Sequence, residues 1–226
     1  SSDNGPFLGG KGEGSYMRYN GPYGGGKYWV LEGGIRVPAI ARWTNHMPAG
    51  HFCDEMMHFA DWLPTLRSAA GFSSSVGQPL DGQDASCLLR GEPGDLSTIR
   101  FWQFNRYDPV RYCNAAMRDG KWKLYWPPIH EAVFMKDRGD GPPYERGMTK
   151  GHYLMDIQTT PVERTLSAPQ APRLFDIEAD PYEAHDLAGQ YPERVRAMTA
   201  QWDAWFDSVD AERREAWRQN GLLVRD

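Results

Sequence analysis

The chain has 226 residues, 40% of them hydrophobic and 13% aromatic, with a formal net charge of -5. That is enough apolar material for a folded core, which excludes a disordered tail. No lysine- or arginine-rich run supplies the basic face that nucleic acid requires, and no apolar run is long enough to span a membrane, so neither partner is expected.

The chain opens on Ser1-Ser2-Asp3-Asn4-Gly5 without an initiating methionine, and a motif standing first leads us to expect a preceding segment. Asp3 and Asn4 are adjacent hard oxygen donors of the kind a calcium-like cation accepts from a tight turn. Gly9 to Gly26, with Tyr16, Tyr19 and Tyr23 interspersed, has no strand or helix period and reads as a long loop. It ends on Gly24-Gly25-Gly26-Lys27, where the lysine offers positive charge to an anion and the glycines let the backbone approach a ligand closely. Residues 29–31 begin a short strand. Val37 to Trp43 reads as a strand covered on both faces, because its apolar run is nearly continuous.

From Asp54 to Gly71 the period changes: Met57, Phe59, Ala60, Leu63, Leu66 and Ala70 recur at helical spacing, with Gly71 as the stop. Asp61 within it reads as a helix-start or capping residue rather than a catalytic acid. Leu80-Asp81-Gly82 is a turn, and the polar segment from Glu92 to Ser97 marks a boundary, giving expected domains of residues 1–92 and 93–226. Phe101 to Phe104 is a predicted strand. Asp119-Gly120 is a hairpin signal between Ala115–Arg118 and Lys121–Trp126. In the second arm Trp122, Leu124 and Trp126 share one face and Lys121, Lys123 and Tyr125 the other, which predicts one covered and one wet face.

Residues 127–172 carry little period and read as a surface insertion, in which His130, His152, Asp156 and Glu163 are too scattered to form a metal set. Arg173 to Ile177 is a further strand. Pro192 suits a first helical position, and Val195, Met198, Trp202, Trp205, Phe206 and Val209 form one helical stripe that should pack on the antiparallel sheet. Cys53, Cys87 and Cys113 are widely spaced, odd in number and fit no metal motif, so inert thiols are expected and the redox compartment stays open.

Ser-Asp-Asn-Gly, Gly-Gly-Lys and Glu-Gly-Gly-Ile-Arg-Val-Pro, with four residues between Lys27 and Glu32, resemble a block of the type I sulfatases of the alkaline-phosphatase superfamily. Asp61-Trp62-Leu63-Pro64-Thr65-Leu66 and Asp180-Pro181-Tyr182-Glu183 through Asp186-Leu187-Ala188 match further stretches of that family, so the resemblance runs from Ser2 to about Phe206. It implies the C-terminal half of such an enzyme: part of an α/β sandwich, followed by a smaller subdomain of antiparallel sheet packed with a long helix. It implies hydrolysis of a small-molecule or glycan sulfate ester, with a formylglycine nucleophile and a calcium ion as cofactors.

By the same resemblance Asp3 and Asn4 would ligate calcium and Lys27 would contact the sulfate as the catalytic and substrate-binding cation, while Arg36 would brace its turn. Lys11, Tyr16 and Tyr23 would stand at the pocket wall. The family's Cys/Ser-Xaa-Pro/Ala-Ser-Arg nucleophile motif needs a Ser-Arg pair that this chain lacks, so no cysteine here is the formylglycine precursor and the segment alone is expected to be inactive. A missing N-terminal half is the implied partner, and the family suggests a periplasmic, secreted or lysosomal setting. Two other readings remain: a phosphodiesterase or phosphonate monoester hydrolase of the same superfamily, and a non-catalytic module that binds sulfated glycans.

Overall fold

The computed structural model describes residues 1–8, 18–72, 77, 79–106, 108–133 and 165–219. Lys11, Tyr16, His152, Asp156 and Glu163 lie outside them, as does most of the expected insertion. Two compact units emerge: Ser1–Ser2 with Pro38–Arg100, and Asp3–Val37 with Phe101–Asp226. The motif-bearing residues 3–37 thus share a unit with the C-terminal residues and not with the segment that follows them in sequence. No helix among the described residues is long and apolar enough to cross a membrane.

The second unit is built on a sheet in the order β1-β2-β3-β4, formed by β1 (Arg100–Gln103), β2 (Ala115–Asp119), β3 (Trp122–Trp126) and β4 (Arg173–Asp176). β2 pairs with β3, and β3 with β4, in antiparallel register. Asp119 faces Trp122, so the two-residue turn is Gly120-Lys121, one position later than the dipeptide signal places it. Gly120 takes φ +58° there, a value glycine adopts without a Cβ clash.

One face of the sheet carries Met117, Leu124, Leu174 and Trp126, all buried. A long C-terminal helix spanning Pro192–Gln219 packs on that face through Met198, Trp202 and Phe206, as its stripe predicts. The Trp126 and Trp202 rings lie 5.2 Å apart, and the Trp202 indole N–H donates to the Arg111 carbonyl at 3.0 Å, so the largest core side chain leaves no polar atom stranded.

The opposite face is where the structure corrects the sequence. Lys123 is fully buried and Tyr125 is 3% exposed, not wet. Val30, Leu31 and Ile35 of the motif segment pack there against Ala116, Tyr125, Phe175 and Ile177, so the sheet is covered on both sides by its own unit. Two-residue alternation reports which side chains share a face but not whether a distant segment will dock on it.

The first unit is organised around polar groups. A 3₁₀ turn (Phe59–Asp61) leads into a helix at Trp62–Ala69, shorter than the expected 54–71 element. The His58 ring nitrogen accepts the Ala60 N–H, and the Asp61 carboxylate accepts the His58 N–H at 2.7 Å; this capping box fixes where the helical run begins. Asp61 also accepts the Gln83 N–H at 2.8 Å and pairs bidentately with Arg100 at 3.1 and 3.2 Å, while both residues are buried. Its role is structural, in line with the capping reading. The expected strand at 37–43 does not form: the segment has no ladder partner among the described residues, and Ile40 is 91% exposed.

Candidate functional site

Three sequence-distant pieces meet in a glycine-walled knot within the second unit. The Gly5 N–H donates to the Gly34 carbonyl at 2.8 Å, and the Lys27 N–H donates to the Pro6 carbonyl at 2.9 Å. The Gly33 N–H donates to the Gly24 carbonyl at 2.9 Å, and the Asn20 side-chain amide donates to the carbonyls of Gly25 and Gly33. The Asp3-Asn4-Gly5 turn is therefore laid directly on the Gly-Lys and Glu-Gly-Gly stretches.

The glycines here are required by space. A Cβ on Gly5 would sit 1.9 Å from the Gly33 carbonyl oxygen, and one on Gly34 would sit 1.9 Å from that of Trp29. Both obstacles are backbone atoms that cannot rotate away. The Glu-Gly-Gly sequence forms one short helical turn, Glu32–Ile35, whose interior is closed by these contacts.

The knot displays three polar groups: the exposed Asp3, the half-buried Asn4 and the half-buried Lys27. Lys27 holds its ammonium 5.6 Å from the centroid of the Tyr28 ring. Tyr28 itself takes φ +78°, a left-handed conformation uncommon for a bulky residue, and its carbonyl accepts from the buried Asn114 side chain at 2.7 Å. The Asn114 amide also donates to the Phe104 carbonyl at 2.9 Å, which ties the lysine's neighbour to the sheet.

Beneath the knot lies a buried charge cluster that sequence reasoning missed. Lys123 donates to Glu32 at 2.8 Å and stands 2.8 Å from the Glu183 carboxylate, with all three side chains at most 4% exposed. The Glu32 N–H donates to Glu183 at 2.7 Å, so Glu183 also caps the Glu-Gly-Gly turn. Burial pushes the Glu183 carboxyl upward, and the adjacent Lys123 ammonium opposes that push. A lysine alternating into a face with Tyr125, together with the Asp-Pro-Tyr-Glu signature, was the available signal; neither names the partner without the fold. Arg36 lies 3.7 Å from Glu32 and 5.5 Å from the Tyr23 ring, where it braces the turn.

Asp3 and Asn4 fit part of a hard-cation shell, since a carboxylate and an amide carbonyl are suitable oxygen donors. They do not complete one: among the described residues no group of three or more His, Cys, Asp or Glu side chains could hold a metal. Cys53, Cys87 and Cys113 are free thiols, and Cys113 is buried.

The chain is 31% identical to human arylsulfatase A over 180 residues, which cover 76% of this chain and 31% of that protein. It is 29% identical to rat steryl-sulfatase over 187 residues, covering 82% of this chain and 30% of the relative. An ulvan-active sulfatase from Formosa agariphila is 27% identical over 172 residues, covering 72% of this chain and 31% of the relative. A solved structure from work on the metabolism of multiple glycosaminoglycans by Bacteroides thetaiotaomicron shares the fold with a TM-score of 0.53 at 23% identity, over 84% of this chain and 32% of that one. No protein-family model matches the chain. The chain spans about a third of the length of these curated relatives.

Proposed function

We propose, from the premise that this chain is a type I sulfatase polypeptide with an alkaline-phosphatase-like fold, that it contributes one wall of an active site hydrolysing sulfuric esters. The observation that carries the reading is the glycine knot, which brings an acid, an amide and an ammonium from separate stretches onto one backbone frame. In this reading Lys27 faces the sulfate and offsets charge that grows on its oxygens and on the leaving oxygen. Its ammonium serves electrostatically and as a proton donor, since a protonated amine cannot act as a base. Asp3 and Asn4 supply two oxygens to a calcium ion, which when bound would polarise the sulfate.

The nucleophile of such an enzyme, a formylglycine, has no precursor motif among these residues, so the remaining parts of the site belong to further sulfatase polypeptide. Support comes from the first unit, whose large apolar side chains point outward: Ile40 is 91% exposed, Phe52 90%, Phe72 66% and Leu66 57%. In this reading those exposed side chains would be covered by the further polypeptide.

The test is to assay 4-nitrophenyl sulfate, 4-nitrophenyl phosphate and its diester with this chain alone and joined to an upstream segment carrying Cys-Xaa-Pro-Ser-Arg. Sulfate turnover by the joined protein only is expected. Turnover by the chain alone would overturn the reading, and preference of the joined protein for a phosphate ester would move it to the phosphoesterases.

A further inference from the structure

Lys27 occupies the second position of a tight turn. The Trp29 N–H donates to the Gly26 carbonyl at 3.0 Å, and Tyr28, at the third position, takes φ +78°. That is the pattern of a type II turn, whose third residue needs positive φ and is ordinarily glycine or asparagine. Glycine at position 28 would adopt this turn unaided. A tyrosine stays left-handed only where its surroundings over-determine the backbone.

Asn114 supplies that constraint. Its side-chain amide donates to the Tyr28 carbonyl at 2.7 Å, and its Oδ1 accepts from the Val30 N–H at 3.4 Å, so one side chain partners the backbone on both sides of Trp29. The same amide nitrogen donates to the Phe104 carbonyl at 2.9 Å. The Phe104 N–H returns a bond to the Asn114 carbonyl at 3.1 Å, and the Asn114 N–H donates to the Pro127 carbonyl at 3.2 Å. Asn114 is fully buried and itself takes φ +44°, which suits a residue that tolerates the left-handed region and presents a donor and an acceptor together. The Tyr28 ring rests on Phe104 with centroids 5.2 Å apart, so the amide and the ring both fix the turn to one residue.

We propose that Asn114 is a positioning residue: by holding the turn at 26–29 in its left-handed form, it fixes the backbone from which Lys27 reaches the sulfate ester. Its catalytic consequence rests on the reading of Lys27 as the sulfate-facing cation, whereas the bracket on Tyr28 and Val30 does not.

Two variants remove the bracket without forbidding the local backbone: Asn114→Gly, which accepts positive φ, and Asn114→Asp, which keeps the shape and lacks the donors. With ¹⁵N-tyrosine labelling, the intraresidue amide–Hα NOE of Tyr28, strong at positive φ, should weaken in both relative to the parent chain. An NOE of parent strength in both variants would overturn the proposal. The kinetic arm follows 4-nitrophenyl sulfate hydrolysis by the chain joined to an upstream segment carrying Cys-Xaa-Pro-Ser-Arg. Asn114→Gly should lower kcat/KM by about 10-fold through misplacement of the lysine. In a Lys27→Met background the same change should cost less than about 2-fold, because a residue that acts through the lysine then has nothing to position. Equal losses in the two backgrounds would show a merely structural role and overturn the proposal. If Lys27→Met alone leaves kcat/KM unchanged while the Tyr28 NOE still responds to Asn114, the catalytic reading of Lys27 is overturned and the bracket is supported.

Discussion

The two units differ in what they bury. In the second, Trp202, Met117, Leu124, Leu174 and Phe175 fill the two sides of a sheet, and the buried Lys123 is matched by two carboxylates. In the first, the described residues that are buried are Asp61, Thr65, Ala85, Leu88 and Arg100, while Ile40, Phe52, Leu63, Leu66 and Phe72 are exposed. The second unit is therefore stabilised by its own burial, whereas the first is held by a polar clasp and turns its apolar side chains outward.

Removing the clamp in the second unit should show the largest effect. Lys123→Met would strand two buried carboxylates, and a loss of about 3–5 kcal/mol is expected in urea unfolding followed by tryptophan fluorescence. A wild-type midpoint would mean that the cluster is not the anchor described here. Gly34→Ala comes next, because its Cβ would meet the Trp29 carbonyl oxygen at 1.9 Å; about 1–3 kcal/mol should be lost, with local shifts confined to residues 24–34.

Two residues, one in each unit, should contribute to the pH dependence of stability in opposite directions. Burial lowers the His58 value below 6.5, favouring the neutral ring that caps Ala60. The stability this supplies is present above pH 6.5 and is lost as pH falls through the folded value. Glu183 is raised from 4.5, so its contribution is present below that pH and is lost as pH rises through the folded value. Stability profiles of His58→Asn and Glu183→Gln, each compared with the parent, should flatten the acid and the alkaline slope respectively. If the two variants flattened the same limb, these assignments would fail.

The smallest effect belongs to the outward side chains of the first unit. Ile40→Ser and Phe52→Ser should change the stability of this chain by no more than about 0.5 kcal/mol. The same changes should lower the yield of active enzyme when the chain is joined to further sulfatase polypeptide. A large loss of stability in the isolated chain would show that these residues are already buried within it.

The elements most legible in sequence were those whose pattern is local. The β2–β3 hairpin, the strand at 173–176 and the helix starting at Pro192 each follow from a turn signal, an alternation or a stripe. What failed depended on distant partners: the run 37–43 reads as a strand but pairs with no strand among the described residues, and Lys123 reads as wet until residues 30–35 cover it. For the candidate site, the motif spacing marked Asp3, Asn4 and Lys27, but not the reason the glycines between them are needed. That reason is contact between backbones many residues apart, such as Gly5 against Gly33, which no local window contains.

The most direct measurement of the central claim is the rate of 4-nitrophenyl sulfate hydrolysis by this chain joined to an upstream segment carrying Cys-Xaa-Pro-Ser-Arg, with and without Lys27→Met. The account predicts a fall in kcat/KM of about 100-fold or more with the melting temperature unchanged, as expected for removal of a preorganised cation facing the developing charge. A variant that retains the parent kcat/KM would contradict it.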